Sequence, residues 1–309
     1  MPLLFISKSD DPHAWRAMLA EGLPDLEVRV WPEAGDPSEI EFALAWKPEA
    51  GLLARFSNLK LIQSLGMGVD HIFVDPELPE GVPVARLVDP DMVRQMGEYV
   101  IFAALRHHRH MDAYDANQRA GRWASAGLRD TPLVRAGVLG LGAIGGDTAM
   151  KLASLGFQVA GWSRTPKSLD GIESFHGDDG FAAFLQRTDI LVCLLPLTPE
   201  TLGILDAAAF GTLPEGAYVI NLARGGHVVE DDLLAAIDRG HIAGATLDVF
   251  QTEPLPDGHP FWAHPKVHVT PHIAGLTNPR TSAAQVIENI RRVRAGEAPH
   301  NLVDAARGY

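Results

Sequence analysis

One stretch, residues 134–164, constrains the fold of this chain more than any other. It holds a short apolar strand, the turn Gly140-Leu141-Gly142-Ala143-Ile144-Gly145, a helical segment and a second apolar strand that ends at Trp162-Ser163. In such a turn the first glycine allows the tight bend, the second lets the backbone approach a pyrophosphate, and the third lets the helix pack closely. The helix N-terminus then faces the phosphate anion. This predicts a βαβ dinucleotide site with Gly140, Gly142, Ala143, Ile144 and Gly145 around the phosphates. A glycine-rich turn without a ligand is the alternative.

The end of the second strand of this unit indicates which dinucleotide is bound. A site for NAD usually has Asp or Glu there to hold the ribose 2′-hydroxyl. This chain has Ser163, Arg164, Thr165 and Lys167 instead. A carboxylate would repel a 2′-phosphate, whereas a guanidinium pairs with it through two hydrogen bonds. We therefore predict NADPH as the preferred cofactor and NADH as the alternative. A solvated loop that contacts no cofactor is the other interpretation of these side chains.

Composition excludes several classes of protein. The 309 residues, 46% of them hydrophobic and 21% charged, suit a globular protein of two domains or one large one. The net charge of −13 disfavours nucleic acid or an anionic membrane as a partner. Cys193 is the only cysteine and lies in an apolar run, so we expect a buried thiol and a reducing compartment. We expect a cytoplasmic protein without a signal peptide or membrane-spanning helix.

Strand and helix patterns alternate along the whole chain, which predicts the α/β class. Strand patterns lie at 3–7, 27–31, 42–45, 61–64 and 84–87, and then at 134–139, 159–163, 190–194, 217–221, 243–247 and 267–270. Helix patterns include 13–21, 49–56, a long helix over 91–118, and 282–295. We predict two Rossmann-like domains with doubly wound parallel sheets and a cleft between them. The substrate-binding domain would comprise 1–98 plus 279–309, and the dinucleotide-binding domain 99–278.

Two further segments are open to more than one interpretation. The cluster His107-His108-Arg109-His110 lacks the cysteines and ligand spacing of a metal site, so we predict a solvated helix end and no metal. The turn from Leu65 to His71 contains two glycines and follows a strand pattern. It suits either a nest of backbone N–H groups for a carboxylate or an ordinary turn. A tryptophan in the loop at Trp123 indicates a subunit contact.

Candidate catalytic residues follow three strands of the second domain, at the sheet edge where open parallel sheets bind ligands. Reduction of a ketone needs a hydride donor, a proton donor at the developing alkoxide and positive charge to orient the substrate. We predict His272 as the general acid, Glu253 as the carboxylate that orients it, and Arg224 as the group that binds an α-keto carboxylate. A purely structural role is the alternative for each. Loops at the same edge add Leu195, Pro196, Ala223, Ala274 and Gly275 as predicted cofactor contacts.

Three segments together resemble the signatures of the D-isomer-specific 2-hydroxyacid dehydrogenase family. They are Asn221-Leu222-Ala223-Arg224-Gly225, Leu247-Asp248-Val249-Phe250 with Glu253-Pro254-Leu255, and Thr270-Pro271-His272-Ile273-Ala274. Residues 162–165, 64–71 and the terminal Ala306-Arg307-Gly308-Tyr309 are similar to one branch of that family. The resemblance covers the whole chain. It implies an NADPH-preferring reduction of glyoxylate to glycolate and of hydroxypyruvate to D-glycerate.

The same resemblance implies roles for individual residues. It makes Arg224, Glu253 and His272 the catalytic residues and puts Asp248 near the nicotinamide. Met67, Gly68 and Val69 would hold the substrate carboxylate, and Trp46 would line the substrate pocket. It also implies a homodimer formed through the cofactor domains, with Trp123 as the candidate residue that reaches a neighbouring site.

Two other functions compete with this prediction. One is a nucleotide-sensing binding protein that keeps the fold but does no chemistry, which the strongly acidic charge and the lack of a disordered arm disfavour. The other is an NAD-dependent D-2-hydroxyacid dehydrogenase for a different ketoacid. The absence of an acidic residue after Trp162 disfavours it.

Overall fold

The first of two parallel sheets is built mainly from the N-terminal third of the chain, in a computed structural model that describes residues 2–305. Its strands are β1 (Pro2–Ile6), β2 (Glu27–Val30), β3 (Phe42–Ala45), β4 (Leu61–Ser64) and β5 (Val84–Ala85). They pair in parallel in the order β2-β1-β3-β4-β5. The helices that accompany them are α1 (Pro12–Gly22) and the four-residue α2 (Asp70–Phe73).

The second sheet has seven parallel strands. They are β6 (Arg135–Leu139), β7 (Gln158–Ser163), β8 (Glu173–His176), β9 (Ile190–Cys193), β10 (Ala217–Asn221), β11 (Ile242–Leu247) and β12 (Val267–Val269). Their order is β12-β11-β10-β9-β6-β7-β8. From β6 the strand order runs one way to β7 and β8 and the other way to β9 and beyond, although all strands stay parallel. Such a switch point, here between β6 and β9, is where doubly wound sheets bind ligands. The α/β class and the doubly wound parallel sheets predicted from the sequence are confirmed.

The remaining helices lie between these strands, except the last, which follows β12. They are α3 (Pro90–His108), α4 (Met111–Arg119), α5 (Ala143–Ser154), α6 (Gly177–Gln186), α7 (Ala207–Thr212), α8 (Glu230–Asp238), α9 (Pro260–Ala263) and α10 (Pro279–Arg294). Among residues 2–305, no helix has the length and apolar character needed to cross a bilayer.

The chain divides into two compact units, which we call the first and second unit. The first holds residues up to Met92 and from Thr277 onward, and the second holds Val93–Leu276. The predicted boundaries were 98/99 and 278/279. The first boundary between the two units lies earlier in the chain, at 92/93, because α3 packs within the second unit beyond Met92. There the Gln95 side chain exchanges two hydrogen bonds with the Leu276 main chain, at 3.0 and 3.2 Å.

Apolar packing on both faces of the first sheet explains its uninterrupted hydrophobic strands. In β1, Leu3 and Phe5 join a cluster with Trp15 of α1 and Ile290 of α10, whereas Leu4 and Ile6 join a cluster on the other face. Adjacent residues of a strand point to opposite faces, so a strand covered on both sides is apolar throughout. Residues of α10 therefore pack in the core of the first unit.

The histidine cluster at the end of α3 is not a solvated helix end, so that prediction is wrong. His107 stacks on Tyr218 with ring centroids 4.2 Å apart, and His108 is buried with its Nε2 3.1 Å from Thr131 Oγ1. Burial lowers the pKa of His107 to about 4, so its ring is neutral near pH 7. The apolar face of α3 continues through its last turn, where these rings pack. Within the described residues, no cluster of His, Cys, Asp or Glu is arranged to hold a metal.

Several predicted elements differ from the structure. The long helix over 91–118 is two helices, because His110 between them has a left-handed backbone with φ of 55°. The predicted helix over 49–56 is only a three-residue 3-10 turn, Leu53–Arg55. Strand β8 is absent from the predicted strand patterns. Cys193 is fully buried in β9, as predicted.

Candidate active site

The glycine turn lies at the switch point of the second sheet. Gly140 has a left-handed φ of 95°, and a Cβ there would lie 2.8 Å from the Leu194 carbonyl oxygen. A Cβ at Gly145 would overlap the carbonyl oxygen of Gly140. The first and third glycines are therefore required by the protein's own backbone, which brings the start of α5 against the turn.

Gly142 is different, because a Cβ there would meet no described atom within 4 Å. It is the N-cap of α5, and no side chain caps the helix. The first N–H groups of a helix have no acceptor within the helix. Gly142, Ala143 and Ile144 thus offer an exposed backbone with free donor groups, as a pyrophosphate requires. The residues present fit a bound dinucleotide.

No carboxylate follows directly after β7, because residues 164–169 contain no Asp or Glu. Ser163 is buried and its hydroxyl donates to the Thr165 carbonyl oxygen at 2.8 Å, which turns the loop back on itself. The side chains of Arg164, Thr165 and Lys167 are exposed. The positive groups of this loop are therefore accessible at the sheet edge where a ribose would bind.

His272 and Glu253 form a hydrogen-bonded pair in the loops after β12 and β11. The distance from His272 Nδ1 to Glu253 Oε2 is 3.0 Å, and both side chains are about a quarter exposed, at 28% and 22%. An ionised carboxylate only accepts, so Nδ1 carries a proton and Nε2 is the other atom available for proton transfer. The second carboxylate oxygen of Glu253 accepts from the Phe250 N–H at 3.2 Å, which fixes the carboxylate.

A buried carboxylate, Asp248, holds the backbone on both sides of His272. Asp248 is 1% exposed, and its side chain accepts from the Ile273 and Ala274 N–H groups at 2.9 Å each and from Thr270 Oγ1 at 2.6 Å. Its main-chain carbonyl accepts from the His272 N–H at 2.8 Å. These bonds support the left-handed φ of 56° at His272, which is uncommon outside glycine. The contact between Asp248 and the nicotinamide stays a prediction.

Tyr99 of α3 extends this network, and sequence reasoning missed it. Its hydroxyl lies 2.6 Å from Thr270 Oγ1. Because the Thr270 hydroxyl donates to Asp248, the Tyr99 hydroxyl donates to Thr270. Burial raises the pKa of Tyr99, and the charge of Asp248 adds to that effect. Tyr99 is therefore a protonated donor that supports the His272 loop from helix α3.

Arg224 follows β10 on a loop that is fixed by its main chain. The Arg224 carbonyl oxygen accepts from Asn221 Nδ2 at 2.9 Å and lies 3.0 Å from His227 Nδ1. One Nη of its guanidinium donates to the Ala223 carbonyl oxygen at 2.7 Å. The next residue, Gly225, packs directly on the backbone of Phe250, where a Cβ would overlap. The loop of Arg224 thus contacts the segment that leads to Glu253.

His227 is a second residue that sequence reasoning missed. It is fully buried, and its other ring nitrogen, Nε2, lies 3.2 Å from the Pro196 carbonyl oxygen. Burial acts to lower the pKa of His227, but the Cys193 thiol and the two carbonyls outweigh it, and the pKa is raised. His227 therefore joins the loop of Arg224 to the loop after β9.

The other predicted cofactor contacts lie on these same loops. Pro196 is exposed and Gly275 is partly exposed, whereas Leu195, Ala223 and Ala274 are each less than a tenth exposed. In the first unit, Met67 and Gly68 are partly exposed on the turn after β4, and Val69 is buried. Trp46 is partly buried, and its ring lies 4.3 Å from that of His71.

Comparison with known proteins identifies the family. The model of the NAD-binding domain of the D-isomer specific 2-hydroxyacid dehydrogenases matches residues 101–274. The chain belongs to this family. A glyoxylate/hydroxypyruvate reductase A from Serratia proteamaculans (strain 568) is 44% identical to this dehydrogenase over 314 residues, covering 100% of both chains. The predicted family is therefore confirmed. Residues 306–309, which contributed to the resemblance, lie outside the described residues.

Two solved structures of relatives are similar over their whole length. A D-isomer specific 2-hydroxyacid dehydrogenase from Xanthobacter autotrophicus Py2, in complex with NADPH and MES, is 48% identical with a TM-score of 0.95, covering 100% of this chain and 99% of that one. An NADPH-dependent glyoxylate/hydroxypyruvate reductase from Sinorhizobium meliloti, in complex with NADP and sulfate, is 37% identical with a TM-score of 0.94, covering 100% of both chains.

The network around Asp248 gives a testable prediction for this dehydrogenase. In Asp248→Asn one acceptor oxygen becomes an NH₂ group that faces a donor. We expect the free energy of unfolding to fall by about 1 to 3 kcal/mol. We also expect kcat to fall because the His272 loop loosens. Urea unfolding and initial rates measure both effects. Asp231→Asn, at an exposed position of α8, is the matched control. Unfolding of Asp248→Asn like that of the control would contradict a supporting role for the carboxylate.

Proposed function

We propose that this protein is an NADPH-dependent reductase of small 2-ketoacids, which converts glyoxylate to glycolate and hydroxypyruvate to D-glycerate. The observation that carries the proposal is the His272–Glu253 pair, held at the same sheet edge as the glycine turn and Arg224. The relatives from Serratia and Sinorhizobium bear the name of this activity, and the Xanthobacter relative is a complex with NADPH. These findings favour the reductase over an NAD-dependent enzyme and over a nucleotide sensor.

The proposed chemistry assigns one role to each catalytic side chain. Bound NADPH supplies the hydride. Arg224 pairs with the ketoacid through its planar fork and polarises the carbonyl. His272 gives the proton on Nε2 to the oxygen that becomes the hydroxyl. Glu253 keeps the imidazole oriented through the hydrogen bond to Nδ1. The N–H groups of Met67, Gly68 and Val69 hold the substrate carboxylate, and Trp46 lines the pocket.

The proposed cofactor contacts follow from the loops at the edge of the second sheet. The start of α5 binds the pyrophosphate. The loop after β7 binds the 2′-phosphate through Arg164 with Ser163, Thr165 and Lys167. The nicotinamide half lies along the later loops. These contribute Leu195, Pro196, Ala223, Asp248, Ala274 and Gly275.

A substrate panel tests the function. Purified protein is mixed with NADPH or NADH and with glyoxylate, hydroxypyruvate, pyruvate or phenylpyruvate, and loss of the reduced-nicotinamide absorbance is followed. We expect rapid oxidation of NADPH with the first two ketoacids and at least about tenfold lower kcat/KM with NADH. Turnover with pyruvate or phenylpyruvate alone would move the substrate assignment. Binding of NADPH without turnover of any ketoacid would support the nucleotide sensor instead.

We also propose a homodimer that forms through the second units and works in the cytoplasm. Trp123 is fully exposed, and Phe102 and Leu133 of the second unit are more than half exposed. Large exposed apolar side chains mark interaction surfaces. Light scattering should give twice the chain mass of 33.4 kDa, and the mass of a single chain would refute the dimer. Cys193 is a buried free thiol, which fits a reducing compartment.

A further inference from the structure

A buried serine lies at the centre of the turn that follows β4. Ser64, the last residue of that strand, is completely buried. Its Oγ accepts from the Gly66 N–H at 3.1 Å, lies 3.2 Å from the Gly68 carbonyl oxygen and lies 3.2 Å from His71 Nε2. One hydroxyl thus joins both glycines of the turn to the first turn of α2.

The direction of each hydrogen bond in this group follows from one donor. The Lys47 main-chain N–H points to His71 Nδ1 at 3.1 Å. A main-chain N–H can only donate, so Nδ1 is an acceptor and the ring proton is on Nε2. Nε2 therefore donates to Ser64 Oγ, and the Ser64 hydroxyl donates to the Gly68 carbonyl oxygen. The result is a relay from Lys47 through His71 and Ser64 to Gly68.

Other contacts fix the beginning of the same turn. The Leu65 N–H donates to the Ala45 carbonyl oxygen at 2.9 Å, and the Gly66 carbonyl oxygen accepts from the Leu87 N–H at 3.1 Å. By contrast, no acceptor within residues 2–305 pairs with the N–H groups of Met67, Gly68 and Val69. The relay thus holds three neighbouring donors, two of them on the partly exposed residues Met67 and Gly68, without using any of them. Such an arrangement suits a carboxylate.

Trp46 packs on the same relay. Its ring lies 4.3 Å from the His71 ring at an angle of 57°. A Cβ at Gly66 would lie only 2.6 Å from the Trp46 ring, so the turn and the indole are in direct contact. His71 therefore supports both the turn and the aromatic side chain beside it.

We infer that Ser64 and His71 are positioning residues that set the affinity of this enzyme for the carboxylate of its ketoacid substrate. They act by keeping the turn Gly66–Val69 and Trp46 in the conformation that binds the substrate. This inference rests on the proposed function. Neither residue transfers a proton to the substrate, so their removal affects substrate binding more than the chemical step.

The test is a double-mutant cycle of Ser64→Ala and His71→Phe. Alanine removes only the hydroxyl, and phenylalanine keeps a ring against Trp46 but no hydrogen bond. We expect each variant to raise KM for glyoxylate and hydroxypyruvate by about tenfold, since each removes part of a buried network. We expect kcat and KM for NADPH to stay within about twofold of the wild type. Because both variants break one relay, the double variant should raise KM by much less than the product of the single effects.

The controls separate this inference from the proposed function. Ser38→Ala, at an exposed serine of the same unit, should change neither KM nor kcat. An unchanged ketoacid KM in Ser64→Ala, or independent effects that multiply in the double variant, would overturn the relay while the reductase activity stands. An inactive wild type would instead refute the proposed function. If His71→Phe does not fold, Ser64→Ala alone decides the matter by the split between KM and kcat.

Discussion

Replacement of His272 by asparagine should lower kcat by about 10² to 10⁴, the usual contribution of a general acid. The amide cannot give a proton to the developing alkoxide near neutral pH. Asparagine is the appropriate replacement because it tolerates the left-handed backbone that His272 adopts, with φ of 56°. The dissociation constant for NADPH, measured by fluorescence titration, should stay within about threefold of the wild type, because the phosphate-binding turn is on a different loop.

Two companion variants define the origin of that loss. Glu253→Gln keeps an acceptor for His272 Nδ1 but removes the negative charge, so a smaller loss of about tenfold to a hundredfold is expected. His13→Asn changes an exposed histidine of the first unit and should have no effect. Turnover of His272→Asn within a few-fold of the wild type would remove His272 from the proton-transfer step.

The parts of the candidate site that could be predicted are those encoded by local spacing. Gly140 and Gly145 lie at fixed distances from a strand and a helix, and the structure gives each the steric reason that the motif implies. Arg224, Glu253 and His272 each follow a strand. Since the carboxyl ends of parallel strands meet at one edge, the order of elements was enough to place them together.

The residues that support the site could not be predicted because their contacts join distant parts of the chain. Tyr99 bonds to Thr270 across 171 positions, and no local pattern connects a tyrosine on α3 with a threonine after β12. Asp248 was predicted to lie near the cofactor from a motif, whereas its hydrogen bonds show it holding the His272 loop. A sequence motif does not show which neighbouring groups a side chain contacts.

The burial of polar residues was the other feature of the structure that the sequence did not predict. Three histidines within four positions suggest a solvated helix end by composition. His107 is nevertheless stacked on Tyr218 from another element, and burial lowers the pKa of His107, which keeps its ring neutral. In the same way, Ser64 and His71 belong to an ordinary strand and turn by sequence. Their hydrogen bonds to each other and to Gly68 appear only when β4 and α2 are in place.

Replacement of Arg164 by aspartate should reverse the cofactor preference. Arg164 is exposed after β7, and its charge helps to lower the pKa of Glu200, after the larger effect of the hydrogen bond from Thr198. It follows β7, at the same sheet edge as the glycine turn after β6. A carboxylate in its place repels the 2′-phosphate of NADPH and accepts a hydrogen bond from the 2′-hydroxyl of NADH. The ratio of kcat/KM for NADPH to that for NADH should fall by at least about 10²-fold.

The matched control for this change is Arg239→Asp, at an exposed arginine after α8. Both variants make the chain, whose net charge is −13, more negative by two charges. A general repulsion of the more highly charged NADPH would therefore lower the ratio equally in both. A direct pairing with the 2′-phosphate lowers it in Arg164→Asp alone and raises kcat/KM for NADH there. An unchanged ratio in Arg164→Asp would show that the loop after β7 does not select the cofactor, and Lys167 would be the next residue to replace.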